Sequence, residues 1–392
     1  MLSPANIFSI ICLIPVISGS VYSILSVWTI IRFFTSWRSD LKTTGGFKPP
    51  VTVLKPVKGL EKDLKSNLRT IGIQDYPKYQ VVYSVQDSED PALPILQEIQ
   101  EELGSERVSV VISTVQAGAN GKVNNLLGAI EEARHDIIII SDSDTHLRPD
   151  YLESLVAPLS NPDVGCVCTL FKLTRAERWF EKMELLTING DFIPSVIFAQ
   201  VTGASNACLG PSIAIGKSTL QELGGLESLA DYLVEDYELG RRVWTSGKKM
   251  VILPYVIDAV VDLESWRQWW NHQVYWEQNT YLARPGAFIA TILIRSVPFA
   301  FLFAMVQVGN PLGLSVVVGA IAVRLLTAAI TSLELEDAEG LRSLYLLPLR
   351  DIAGLIFWLL AFTQRTVVWR GVEFRLTSKG KMVPLRSVSS DK

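Results

Sequence analysis

Four consecutive isoleucines, residues 137–140, run directly into Ser141-Asp142-Ser143-Asp144. A run of that kind reads as a buried strand, and two carboxylates emerge at its end two positions apart. Alternate residues of an extended segment point the same way, so both acids can address one cation. Their oxygens suit Mg2+ or Mn2+, which ordinarily complete their coordination with substrate phosphate oxygens. Asp-x-Asp alone also fits a polar turn. Its place after a buried strand is what favours Asp142 and Asp144 as metal ligands. A second β-branched run, 81–85, leads to Gln86-Asp87, whose carboxylate can accept hydrogen bonds from a base or a ribose. The alternative is an ordinary turn, because Asp87-Ser-Glu-Asp90-Pro91 is rich in turn formers.

Three further groups carry chemistry. Gly118-Ala-Asn-Gly121-Lys122 places a flexible turn and one cation at a helix start. It lacks the Walker spacing, which excludes a P-loop ATPase. Lys122 can neutralise a diphosphate there, and an exposed surface lysine is the plain alternative. Glu235-Asp236 stands between Gly224-Gly225 and an expected helix over 237–245. Acids at that position either cap the helix or supply a general base. Trp266, Trp269, Trp270, Tyr275 and Trp276, with His272 and Gln273 among them, precede the late apolar stretches. Aromatics so placed pack at a membrane–water boundary or line an entrance for a lipid.

The elements that must hold these residues follow from composition and pattern. Of 392 residues, 48% are hydrophobic and 19% charged, the reverse of a disordered chain. Lys+Arg total 36 against 40 Asp+Glu, so no basic excess points to nucleic acid. Cys12, Cys166, Cys168 and Cys208 lack paired C-x-x-C spacing and read as small buried hydrophobes, not as a zinc site or disulfide framework. Between residues 49 and 284, strands at 51–54, 81–85, 108–112 and 137–140 alternate with helical patterns such as 94–103 and 123–134. That order predicts an α/β domain with a mainly parallel sheet, whose ligands bind beyond the carboxyl ends of the strands.

The ends of the chain are different. Residues 7–34 are uncharged apart from Arg32, long enough to cross a bilayer core, which needs about 20 residues. Residues 1–6 carry no Lys or Arg, so a retained anchor is expected in preference to a signal peptide. Arg32, Arg38, Lys42 and Lys48 place the far end of that anchor in the cytoplasm. Apolar stretches recur at 287–308, 312–333 and 344–362, interrupted by Arg295, Arg324 and Arg350-Asp351, which must face protein, a partner or the interface. A cytoplasmic basic tail (Arg365, Arg370, Arg375, Lys379, Lys381, Arg386) requires an even number of late crossings. The stretch 287–308 is therefore expected to be interfacial or re-entrant, broken by Arg295 and Pro298. The expected organisation is an anchor over 1–36, a cytosolic catalytic domain over 48–285, membrane or interfacial helices over 286–364, and a basic tail over 365–392, its last few residues disordered.

Taken together, the segments resemble the ceramide glucosyltransferase family, with hopanoid-associated glycosyltransferases as close relatives. The resemblance rests on Leu54-Lys-Pro-Val-Lys-Gly59, Asp75-Tyr-Pro-Lys-Tyr79, Val85-Gln-Asp87, Lys122-Val-Asn-Asn-Leu126, Asp142-Ser-Asp144, Val201-Thr-Gly203, Gly224-Gly-Leu226, Glu235-Asp-Tyr237, Trp369-Arg370 and Phe374-Arg-Leu376. It implies a GT-A fold (a Rossmann-like nucleotide-diphospho-sugar transferase domain), a UDP-sugar donor, normally UDP-glucose, Mn2+ or Mg2+ as cofactor, and inverting transfer to a membrane lipid. By motif, Asp87 would contact the uridine, Asp142 and Asp144 would hold the metal on the diphosphate, Lys122 would touch the diphosphate, and Asp236 would be the general base. One departure stands out. Where the family has Gln/Arg-x-x-Arg-Trp, this chain has His272-Gln273-Val274-Tyr275-Trp276. Tyrosine cannot reproduce the charged fork of arginine, so the expectation is either that donor diphosphate binding differs at that point or that Arg241, Arg242 or Arg284 compensates. Competing expectations are transfer to diacylglycerol or a hopanoid from UDP-GlcNAc or another UDP-sugar, a processive polysaccharide synthase, and an inactive membrane scaffold.

Overall fold

The computed structural model describes residues 3–40, 46–204, 208–363, 366–369, 372–377 and 380–387. Lys42, Arg365, Arg370, Lys379 and residues 388–392, invoked above, lie outside them. In chain order the elements are α1 (Pro4–Asp40), β1 (Val51–Pro56), α2 (Leu64–Gly72), β2 (Tyr79–Val85), α3 (Leu93–Leu103), β3 (Val108–Ile112), α4 (Gly121–Glu131), β4 (Ile137–Ser141), β5 (Thr145–His146) and α5 (Tyr151–Val156). There follow β6 (Val164–Thr174), α6 (Trp179–Thr187), α7 (Ile193–Thr202), β7 (Ser212–Gly216), α8 (Lys217–Glu222), α9 (Glu235–Thr245), β8 (Lys249–Val260) and α10 (Trp266–Ala283). The last are α11 (Pro285–Ala290), α12 (Ser296–Val306), α13 (Pro311–Glu334), α14 (Ala338–Ser343), α15 (Leu347–Leu360), β9 (Thr366–Trp369), β10 (Val372–Leu376) and β11 (Met382–Ser387).

The eight-stranded sheet has the order β3-β2-β1-β4-β7-β6-β8-β5. Its first four strands are all parallel, and each of the four expected strands lies in this half. Their burial explains the continuous apolar runs: β1 and β2 are buried at every position, as strands covered on both faces must be. The second half departs from the expected parallel sheet. β7 runs antiparallel between β4 and β6, while β6 and β8 pair in parallel. α6 and α7 separate β6 from β7 in the chain, yet the two strands pair antiparallel, which is why strand–helix alternation alone extends the parallel sheet too far. β9, β10 and β11 form a small antiparallel sheet. Its Phe374 and Met382 pack on Leu233, beside the start of α9.

Among the described residues, four helical segments are long and apolar enough to cross a membrane: Pro4–Thr35, Trp179–Thr202, Pro311–Glu334 and Ala338–Leu360. The stretch expected to break does so: Pro285–Ile294 and Ser296–Val306 bend by 54° on either side of Arg295. The segment Trp179–Thr202 was not expected. Its acids Glu181, Glu184 and Asp191 disguise it in the sequence, and each of them is paired. Asp191 sits in a π-helical turn over residues 188–192 and takes ion pairs from Arg324 and Arg350. Arg324 also meets Asp351 at 3.0 Å, and Arg350 donates to Thr187 Oγ1 at 3.1 Å. Arg295 pairs with Glu277 at 2.9 Å. The charges that interrupt the late apolar stretches therefore face protein and tie α13 and α15 to the segment holding α6 and α7. Removing one member leaves uncompensated charge in a low-dielectric site, which costs about 3–5 kcal/mol. Arg324→Leu is accordingly expected to lower the thermal midpoint in detergent sharply; a midpoint within a degree of the parent would show that the pairing contributes nothing.

Candidate active site

The carboxyl ends of the four parallel strands form one edge, and the polar residues that follow each strand gather there. β1 continues into Val57-Lys58, β2 into Gln86-Asp87, β3 into Ser113-Thr114, and β4 into Asp142-Ser143-Asp144. Two adjoining cavities occupy this edge. One, of about 300 Å³, is lined by Lys58, Gln86, Asp87, Ser113 and Gln116 among others. The other, of about 180 Å³, is lined by Lys58, Glu61, Lys122, Asp142, Ser143 and Asp144. Val57, Lys58 and Asn125 line both.

The Asp142–Asp144 turn is fixed from below by a buried cation. Lys55, fully buried in β1, donates to the Asp142 carbonyl at 2.5 Å and to Thr145 Oγ1 at 2.9 Å. Burial lowers its ammonium to about 8, and Asp144, Asp142 and Glu61 hold it from falling further. Ser143 donates to Glu61 Oε2 at 2.6 Å. Burial, with Asp142 and Glu61 nearby, pushes the Asp144 carboxyl up to about 7 against the opposing pull of Lys55 and Lys122. Asp144 Oδ1 is buried and has no hydrogen-bond partner among the described residues.

A second set of contacts brings α9 to the same edge. Lys122 lies 2.7 Å from Asp142 Oδ1 and 3.1 Å from Glu235 Oε1. Burial works against its charge, but Asp142, Glu235 and Asp236 more than reverse that and raise its pKa. Lys122 is therefore a bridging cation and not an exposed surface lysine. Asn120 fixes the geometry: its Oδ1 caps α4 at Lys122 N and Val123 N, and its Nδ2 donates to Tyr232 O and Glu235 Oε2. Asp236 follows, with Oδ1 accepting from Tyr237 N at 2.7 Å. Burial and the adjacent Glu235 push its carboxyl up to about 7, with Lys122 pulling the other way. A Cβ on Gly210 would stand 2.8 Å from Asp236 Oδ2, so only glycine lets this acid lie so close to the 209–211 turn beside β4. Asp87 is exposed at the rim of the larger cavity, where its Oδ1 accepts from Glu89 N at 2.9 Å.

Asp142, Asp144, Lys122 and Asp236 are thus brought together, with Asp87 across the shared wall. The residues expected at the acceptor or membrane boundary divide differently. His272 and Gln273 both grip Glu184, at 2.8 and 2.6 Å, and Trp276 Nε1 donates to His272 Nε2 at 2.7 Å. That last bond fixes the tautomer: Nδ1 carries the proton given to Glu184. Gln273 and Trp276 line a cavity of about 260 Å³ between α1, α10 and α13. Tyr275 turns the other way and packs beside Leu233, Phe374 and Met382. Trp269 is buried against Phe357, while Trp266 is half exposed. Of the three arginines expected to replace the family's missing one, Arg241 and Arg242 are committed to Glu238, and Arg242 also holds Leu223 O and Ser228. They do not compensate. Arg284 reaches Ala204 O at 3.4 Å, near the 208–211 turn.

The sequence model of glycosyl transferase family 21 matches residues 11–382, nearly the whole chain. The chain belongs to glycosyl transferase family 21. Its relatives include ceramide glucosyltransferase 1 of Caenorhabditis elegans, 26% identical over 240 residues that span 60% of this chain and 51% of that one. The ceramide glucosyltransferase of Gibberella zeae is 34% identical over 134 residues, 32% of this chain and 25% of that one. The chain thus spans about half the length, or less, of the curated relatives it matches. The mannosyltransferase PcManGT of Pyrobaculum calidifontis, solved with GDP-Man and Mn2+, shares the fold with a TM-score of 0.56 at 18% identity, over 91% of this chain and 98% of that one. The family 21 chain therefore carries a GT-A domain joined to long apolar helices at both ends.

Several site residues of this family 21 chain are not singled out by sequence reasoning. Lys55 and Glu61 look like surface charges in one dimension. The available signal for Lys55 was a lone cation inside an otherwise apolar strand, Val51–Pro56. Asn120 and Asn125 are legible only as members of a motif.

The oxygen donors present suit a hard divalent cation: Asp142, Asp144 with its unpartnered oxygen, and Glu61 nearby. Among the described residues no three acidic, histidine or cysteine side chains converge on one point. A cation held here would rest on one or two carboxylates and take its remaining ligands from donor phosphates and water, the usual arrangement for Mg2+.

Proposed function

We propose that this chain transfers one sugar, glucose from UDP-glucose, to the hydroxyl of a membrane lipid such as ceramide, with inversion at the anomeric carbon. The observation that carries the reading is Lys122 held between Asp142 and Glu235, because it joins the candidate metal turn to the candidate base in one place. The nucleoside end of the donor lies by Asp87 and the diphosphate lies by Lys122, Asp142 and Asp144. Asp142 and Asp144 would hold a divalent cation, which would supply electrostatic stabilisation of the departing diphosphate. Lys122 adds a second positive charge on the same oxygens. Asp236 accepts the proton of the lipid hydroxyl at a carboxylate oxygen as attack proceeds from the opposite face of the sugar. The long helices hold the lipid beside the edge, so that attack is an oriented encounter. The basic residues Arg32, Arg38, Lys42 and Lys48 support a cytoplasmic side for this edge under the positive-inside rule.

Mass spectrometry of lipids from cells expressing the chain is the direct test. A hexosylated ceramide is expected, absent from cells carrying the Asp142→Asn/Asp236→Asn double variant. A new glycolipid on diacylglycerol or a hopanoid would replace the acceptor, a polymer would make it a processive synthase, and no new product together with no Mn2+-dependent UDP binding would make it a scaffold.

A further inference from the structure

The turn and helix from Asn120 to Asn125 hold three asparagines, and two are spent on the loop itself. Asn120 caps α4 and ties it to Tyr232 and Glu235. Asn124 Oδ1 accepts from Ala117 N and Gly118 N, and its Nδ2 donates to Gly118 O. Asn125 is different. Its Nδ2 donates to Val57 O at 3.1 Å and to Ser84 O at 2.7 Å, bridging the ends of β1 and β2. Two carbonyl acceptors fix the amide: turning it over would set Oδ1 against both oxygens. The oxygen therefore points away from the strands. It is buried, and among the described residues it has no hydrogen-bond partner. The residue is only 4% exposed, and it lines both cavities.

A buried acceptor left without a donor is costly unless a ligand provides one. We propose that Asn125 Oδ1 accepts a hydrogen bond from a ribose hydroxyl of the nucleotide donor and so selects ribonucleotide over deoxyribonucleotide sugars. This rests on the donor placement proposed above. A nucleotide sugar runs base, ribose, diphosphate, and the two cavities divide in the same order, with Asp87 in one, the Asp142–Asp144 turn in the other and Asn125 in the wall between. Ionised phosphate oxygens have no proton to give an acceptor-only atom. A ribose hydroxyl has one. The site is pre-formed, because the two backbone carbonyls orient the amide before any ligand arrives, so little ordering is lost on binding.

The test titrates the whole chain in detergent with UDP, 2′-deoxy-UDP and 3′-deoxy-UDP at saturating Mn2+, and separately with Mn2+ at fixed UDP, for the parent, Asn125→Ala and Asn125→Ser. The parent is expected to bind at least one deoxy analogue about tenfold more weakly than UDP, in line with a lost hydrogen bond at a buried acceptor. In Asn125→Ala the analogue and UDP should bind within about twofold of each other, with the Mn2+ midpoint unchanged. Asn125→Ser keeps a small polar side chain at the strand junction and guards against its collapse; it too should lose discrimination. If the parent discriminates and both variants keep the same ratio, or if the parent binds all three alike, the role of Asn125 is overturned while the donor reading stands. A moved Mn2+ midpoint with the ratio intact would make Asn125 a metal ligand and overturn the ribose contact. If the parent binds none of the three, the donor reading falls and this inference with it.

Discussion

Asp236→Asn is expected to lower the turnover of lipid glycosylation by about a thousandfold, the middle of the range that a positioned general base contributes, while UDP affinity changes by no more than a few-fold. The side chains have the same shape, and Asn Oδ1 can keep the bond from Tyr237 N that holds the acid at the start of α9. Gly210, where a Cβ would stand 2.8 Å from Asp236 Oδ2, leaves the acid its place, and the amide is of the same size. Loss of the acid–base function without loss of geometry is what separates kcat from donor affinity here. Near-normal turnover in this variant would remove Asp236 as the base.

The same substitution makes a prediction of opposite sign for stability. The Asp236 carboxyl stands at about 7 against an ordinary 3.8, with burial as the main cause. A folded-state pKa above the unfolded value means that the native protein holds its proton more tightly. That contribution is fully present below about pH 4 and is lost as pH rises through about 7. At pH 8 the parent therefore bears the cost of a buried charge that the amide does not have. Asp236→Asn is expected to be more stable than the parent by about 1–3 kcal/mol at pH 8 and to lose that advantage at pH 4. Thermal unfolding in detergent at the two pH values measures it, and a pH-independent difference would mean that burial of the charge is not the cause. A buried acid retained at the expense of stability is the usual trade at an active site.

The parallel half of the sheet was legible because each strand is a short run rich in β-branched residues and ended by polar ones, and the positional rule for such sheets then placed Asp87, Asp142 and Asp144 on one edge. The second half was not. β7 returns antiparallel between β4 and β6, and that pairing is set by which edge is vacant, something no local pattern encodes. The segment Trp179–Thr202 escaped because its acids lower its mean hydropathy, and their partners Arg324, Arg350 and His272 lie far away in sequence. Asp236 shows the middle case. Spacing alone favoured a helix cap over a base, and only Asn120 and Lys122, over a hundred residues earlier, bring its neighbour Glu235, and Asp236 with it, to the candidate metal turn. Lys55 was legible only as a member of a motif, its role hidden for the converse reason: a cation within an apolar strand is accounted for only by the carbonyl and hydroxyl it meets across the sheet.

Asp144→Asn is expected to raise the Mn2+ concentration needed for half-maximal UDP binding by about a hundredfold, since disturbing even an outer partner of a metal costs 10–100-fold. The substitution exchanges a carboxylate for an amide of the same size and keeps the backbone bonds that Asp144 O receives from Asn67 Nδ2 and Val260 N. The oxygen at issue has no protein partner among the described residues, so the turn loses no internal hydrogen bond. Lys55 still holds it from below through the Asp142 carbonyl. Metal-free stability should therefore be unchanged or slightly higher, whereas the rise in thermal midpoint that Mn2+ and UDP together give the parent should disappear, because a ligand stabilises only in proportion to its occupancy. Asp142→Asn differs in an informative way: it also frees Lys122 from one of its two carboxylates, and so is expected to weaken UDP binding even without Mn2+. An Asp144→Asn protein whose UDP binding kept the parental Mn2+ dependence would place the cation elsewhere, and with it the departing diphosphate.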